Sequence, residues 1–289
     1  MNCMRTLDRF ALGALLAICG FGVVAYFILL AGASVPDWLL PLAGVLGWSA
    51  ACLRPVTATS HGRIEWPWLL GSVVLLGVAV VGVAWGSLST PSRHWDGAVA
   101  WELHARMLAT SPTLMQPFFA AAEVFNHSRD YPLLQPLLIA SGDRWFGAGR
   151  ALFPLLYVLI LVVSGCSMWQ RCGQRLALAG TVALGLTPFL ISPTSGNADS
   201  GYADMLLLLA TTTVAAGLLR RDGWLLAVGA CLAVLSKPEG LAYGVLPALV
   251  VAVAGDRMAF RASCLGWLLG AVAWVPLHIY LANSSVPTS

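Results

Sequence analysis

The chain has 289 residues, of which 58% are hydrophobic and 10% charged. That leaves too little polar surface to cover a soluble globule of this length. A formal net charge of +3, dispersed along the chain, excludes a nucleic-acid-binding surface, and no spacing among the seven cysteines fits a disulfide framework or a zinc site.

A helix needs about 20 apolar residues to cross a bilayer. Runs that suit one fall at 10–31, 37–53, 67–87, 151–169, 176–192, 203–219, 224–236, 240–254 and 262–282. Gly and Pro interrupt several of them, and no period-two alternation lasts long enough for barrel strands. The expected fold is therefore all-α and polytopic, with about nine transmembrane helices. The first run follows Arg5 and Arg9 and ends at Ala31-Gly32-Ala33, which resembles a signal-peptidase site. Its apolar stretch is longer than the roughly 7–15 residues of a signal sequence, so an uncleaved anchor is expected.

Arginine placement sets the orientation, because short inner loops carry the excess positive charge. With the N-terminus inside, Arg5, Arg9, Arg54, Arg63, Arg171, Arg175, Arg220, Arg221, Arg257 and Arg261 all fall on the inner side. This holds only if residues 131–149 do not cross, so that stretch is expected to be a helix lying at the outer interface. Cysteines agree: Cys3, Cys19, Cys52, Cys166, Cys172, Cys231 and Cys264 all fall in helices or inner loops, away from an oxidising face.

On this topology the outer boundary receives Asp37, Asp96, Glu102, Glu123, Asp130, Asp143, Asp199, Asp204 and Glu239, nine of the thirteen carboxylates. Ionisable residues at a membrane boundary usually line a polar cavity. The long outer loop, 88–150, holds SRHWDGAVAWELHARM and FNHSRDYPLLQP. If the first is helical from Asp96, then Ala100, His104 and Met107 share its face and Glu102 points elsewhere. Asp96 reads equally as a helix cap. In the second, His127, Arg129 and Asp130 precede Tyr131-Pro132, and Arg129 suits either a phosphate or a lipid headgroup.

A further outer turn, PTSGNADSGYADMLLLL, brings Asp199 and Asp204 to a helix entrance. Carboxylates from two loops suit a divalent metal or a division into base and orienter. The last turn, LSKPEG, holds Lys237, the only lysine in the chain, two residues before Glu239. It reads as a phosphate-facing cation or as the partner of that glutamate.

These turns, in this order, resemble the GT-C superfamily of polyprenyl-phosphate-dependent glycosyltransferases, and within it the branch of protein O-mannosyltransferases and lipid A aminoarabinose transferases. The matching pieces are HWDGAVAW, HSRDYPLLQPLL, DRWFGAGRALFPLL, GYADMLLLLA and LAVLSKPEGLAYGVLP. The resemblance implies a module over 67–289, with outer loop 88–150 carrying interfacial helices, preceded at 1–66 by two extra helices. It implies Asp96 as catalytic base and Asp204 as the second catalytic carboxylate, in some members through a divalent metal that Asp96 and Asp204 would hold. His127, Arg129 and Lys237 would face the donor phosphate with Glu239 orienting the lysine, while Glu102, Tyr131 and Tyr202 would contact substrate.

The implied activity is inverting transfer of a sugar from a polyprenyl-phosphate donor to an envelope glycan, lipid or protein at the outer face of a bacterial inner membrane. The chain ends at ANSSVPTS just after the seventh helix of that module, so the resemblance implies an acceptor site that is either incomplete or supplied by a membrane partner subunit. Two other readings stay open: a non-catalytic subunit that binds polyprenyl lipid, and a secondary transporter, whose ionisable residues should lie near the midplane of broken helices.

Overall fold

The structure is a computed structural model that describes residues 2–54, 65–89, 97–120, 131–191 and 203–283. In chain order the elements are α1 (Asn2–Leu30), α2 (Leu39–Leu53) and α3 (Trp66–Ser89), then a π-helical turn (Gly97–Glu102) running into α4 (Leu103–Thr110). The single turn α5 (Pro117–Ala120) and α6 (Leu134–Phe146) follow, and a 3-10 turn (Gly149–Ala151) opens α7 (Leu152–Cys172). The rest is α8 (Gln174–Gly185), the single turn α9 (Pro188–Ile191), α10 (Asp204–Arg220), α11 (Gly223–Ser236), α12 (Gly240–Val253) and α13 (Arg257–Asn283).

Every described element is helical, and four helices are long and apolar enough to cross a membrane: Met4–Leu30, Trp66–Ser89, Gly149–Cys172 and Arg257–Ala282. The surface of α3 shows the solvent this implies. Val78, Val81 and Trp85 are 70%, 66% and 74% exposed, an apolar face that water would not tolerate but lipid would. Each of the nine expected runs is helical, yet α2, α11 and α12 have only 14–15 residues. At 1.5 Å per residue these cover about 21–23 Å of a hydrocarbon layer about 30 Å thick.

Two expectations are corrected. The run 176–192 breaks after Gly185, and α9 restarts at Pro188. Proline has no N–H to give the preceding turn and pushes Thr187 out of helical geometry. The segment expected to lie on the outer interface, α6, is instead enclosed by protein, with Leu134 to Ser141 all buried. Only its last turn emerges, exposing Trp145 and Phe146.

The centre of the molecule is α11, on which every residue from Val228 to Ser236 is buried. It lies between α10, α12 and α13, and a Cβ on Gly266 would come within 1.9 Å of the Ala227 carbonyl oxygen, so α13 reaches it only through glycine. The N-terminal helices share this core. Leu15, Phe21, Ala25 and Tyr26 of α1 are fully buried, and the Tyr26 hydroxyl donates to the Leu235 carbonyl at 3.4 Å.

Polar contacts sort to the two ends of the bundle. At one, Arg220 grips Asp8 through two bonds of 2.6 and 2.8 Å, and Arg54 pairs with Asp222. At the other, Val35 N–H donates to Pro112 at 2.8 Å, Arg144 meets Asp37 at 3.0 Å, and Lys237 meets Asp204.

Candidate functional site

Proline at 238 disfavours helical geometry at Lys237, and α11 stops there with Lys237 extended at φ −150°, ψ 159°. The chain then turns: Gly240 N–H donates to the Lys237 carbonyl at 2.9 Å and Leu241 N–H to that of Pro238 at 3.2 Å. A Cβ on Gly240 would fall 1.7 Å from the Ala233 carbonyl oxygen, so only glycine lets α12 fold back this closely on α11. The lysine is thereby fixed at a helix end.

Asp204 is the first residue of α10. The short turn at Arg221 and Asp222 makes α10 and α11 antiparallel, which sets the start of one beside the end of the other. Lys237 Nζ donates to Asp204 Oδ1 at 2.6 Å, with the two side chains 18% and 36% exposed. Both charges suit their helix ends, the carboxylate at an N-terminus and the ammonium at a C-terminus.

Below the pair runs an apolar cavity of about 710 Å³ between α8, α10 and α12. Its walls include Leu184, Leu208, Thr211, Leu218, Tyr243 and Pro247, and among the described residues Asp204 is its one charged lining residue. From Asp204 to Leu218 the α10 wall is roughly 21 Å long at 1.5 Å per residue. One charged end on a long apolar slot is a shape for an amphiphile, and the volume lies within the roughly 300–1,000 Å³ of ligand cavities.

A second cluster adjoins it. Ala203, next to Asp204, is buried with Trp101, and Tyr131 packs on both. The Trp101 and Tyr131 rings stack with centroids 5.5 Å apart. The first outer loop, the Tyr-Pro segment and the start of α10 therefore meet. Glu102 is buried and faces Arg150 at 3.0 Å, and Arg150 also lies 5.9 Å over the Phe153 ring. His104 is buried against Phe118 and Phe119.

Of the residues expected at the site, the structure brings Asp204 and Lys237 into contact and sets Tyr131 beside Ala203. Asp96, His127, Arg129 and Tyr202 lie outside the described residues. Glu239 is exposed at the start of α12, and among the described residues Lys237 pairs with Asp204 and not with it. Glu102 is enclosed with an arginine, a setting that suits holding the loop better than touching a ligand. Sequence reading gave no role to Arg150, although it sits in one of the quoted motifs, and had no signal for the cavity, whose walls are ordinary helix residues.

Among the described residues no group of three His, Cys, Asp or Glu side chains could hold a metal ion. Asp204 has an ammonium on Oδ1, a poor neighbour for a second cation, while Asp96, the other carboxylate expected to hold an ion, lies outside the described residues.

Fold and site together define a helical, membrane-embedded protein in which an apolar slot ends at the Asp204–Lys237 ion pair. Comparison of the chain with family models, with curated proteins and with solved structures returns no match.

Proposed function

We propose that the chain is an inverting glycosyltransferase of the outer membrane face, using a polyprenyl-phosphate-linked sugar as donor. The observation that carries this is the apolar slot of about 710 Å³ whose one charged lining residue among those described, Asp204, is bound to the only lysine. A prenyl chain needs a long dry groove, and its phosphate needs a cation at the mouth. A fixed cation at that mouth stabilises the negative charge that develops on the phosphate as the bond breaks.

In the proposed reaction the acceptor oxygen attacks the anomeric carbon from the face opposite the phosphate. The carbon–oxygen bond to phosphate breaks, and its electron pair stays on the phosphate oxygen beside Lys237. The acceptor's proton passes to a base, for which the motif resemblance nominates Asp96. The configuration at the anomeric carbon inverts.

A transporter is less well supported, because α7 and α10 carry Asp, Glu, Lys, Arg or His only at their ends and α11 and α12 carry none. A non-catalytic lipid-binding subunit would use the same slot. Mass spectrometry of lipids that co-purify with the full chain tests both readings. Wild type should carry polyprenyl-linked lipid, and Asp96→Asn should accumulate the glycosylated donor it cannot consume. Recovery of phospholipids alone would overturn the reading, and an identical polyprenyl phosphate load on both proteins would favour the non-catalytic subunit.

A further inference from the structure

We propose that Asp204 is a built-in competitor of the leaving phosphate for Lys237, and that its return to the lysine expels the spent lipid. The inference rests on the slot being a polyprenyl-phosphate site, and it assigns that site a means of product release. The contact is direct, Lys237 Nζ to Asp204 Oδ1 at 2.6 Å. Both groups stand on helix ends packed against neighbouring elements. Lys237 is held by the turn that Gly240 closes against Ala233, and Asp204 follows Ala203, which is buried with Trp101. No second lysine exists to take over the ammonium's role.

A ligand in the slot must therefore bring its phosphate to an ammonium that already has an anion. Asp204 lines the cavity and Lys237 does not, so the carboxylate is the member of the pair that faces the slot. The ammonium has three N–H donors, so a phosphate can reach it beside Asp204 but meets the repulsion of that carboxylate, which eases as Asp204 turns to the remaining solvent that its partial exposure offers.

The charges of donor and product give this contact a direction. The donor is a phosphodiester with one negative charge. After transfer the lipid is a phosphomonoester with about 1.5–2 negative charges at pH 7. A bare ammonium would hold the product more tightly than the donor and trap the enzyme after each turnover. An ammonium paired with a carboxylate presents no net charge, and the carboxylate repels the monoester more than the diester. Asp204 thus removes the site's preference for its own product.

The experiment measures binding to the purified full chain in nanodiscs, with two probes of equal chain length: undecaprenyl phosphate and its methyl phosphodiester. Asp204→Asn and Asp204→Ser should each bind the monoester about tenfold or more tightly than wild type, the equivalent of 1.4 kcal/mol or more, with a smaller gain for the diester. Lys237→Met should lose affinity for both. Thermal melting confirms that each variant is folded, and the serine variant stands in should asparagine perturb the helix start. If the Asp204 variants bind the monoester as wild type does or more weakly, while Lys237→Met loses affinity, the competitor role falls and the lipid site stands. If no protein in the set binds either probe, the lipid site falls with it.

Discussion

Lys237 ends a helix and is held by Asp204, a carboxylate 33 residues earlier in the chain that lines the apolar slot. Two roles are compatible with that setting, a structural tie between α10 and α11 or a phosphate ligand, and they separate by substitution. A hydrogen bond to a charged group contributes roughly 1.5–3 kcal/mol, so Lys237→Met should weaken polyprenyl-phosphate binding about 10–150-fold at 1.4 kcal/mol per decade. Lys237→Arg should keep part of it, since the charge survives while the shape changes. Stability should fall little in the methionine variant, because Asp204 is about one third exposed and water can solvate it once alone. A large loss of thermal stability that Asp204→Asn restores, with lipid affinity unchanged, would make the pair structural only. The informative second substitution is at Asp204. Sequence proximity suggested Glu239, but a two-residue separation across Lys-Pro-Glu sends those side chains apart, and pairing over 33 residues depends on how two helices fold against each other.

The helices themselves were largely legible. Their starts and stops carry local signals: Lys237-Pro238 ends α11, and Asp222 caps its start by accepting from Trp224 N–H at 3.1 Å and Leu225 N–H at 3.4 Å. Where reading failed, at Pro188 and along α6, the deciding factor was non-local. Proline is tolerated inside α12 at Pro247 and α13 at Pro276 but divides α8 from α9, and nothing in the local pattern separates these cases. Asp222 also gathers charge, pairing with Arg54 and lying 3.9 Å from Arg220, which itself holds Asp8. It thus joins α1, α2, α10 and α11 at one end. Asp222→Ala should remove a cap contributing about 1 kcal/mol and a buried charged bond of roughly 1.5–3 kcal/mol. Asp222→Asn keeps the cap and loses only the charge. The midpoint of thermal unfolding in detergent should therefore fall in the order wild type, asparagine, alanine. Equal midpoints for the two variants would show that capping adds nothing beside the ionic cluster.

Across the whole molecule, arginine placement and the packed structure bear on sidedness independently. Sequence put Asp8, Arg54, Arg220 and Asp222 on one side, and the structure joins them; it put Glu65 and Arg175 there too, and they meet at 2.8 Å. Asp37, Arg144, Pro112, Asp204 and Lys237 belong to the other side in the sequence, and their contacts keep to that end. Packing groups the residues that share a side, and the positive charge of short loops is the ground for reading one of those sides as cytoplasmic. The chain supplies its own internal control, because Cys52 and Cys172 are exposed at the end read as inner. Thr110 and Phe146 are exposed at the end read as outer. A membrane-impermeant thiol reagent applied to intact spheroplasts should label Thr110→Cys and Phe146→Cys and leave wild type unlabelled, and permeabilised cells should then expose Cys52 and Cys172. Labelling of wild type in intact cells, with neither new cysteine reacting, would invert the topology and place the Asp204–Lys237 pair in the cytoplasm, where a donor displayed on the outer leaflet could not reach it.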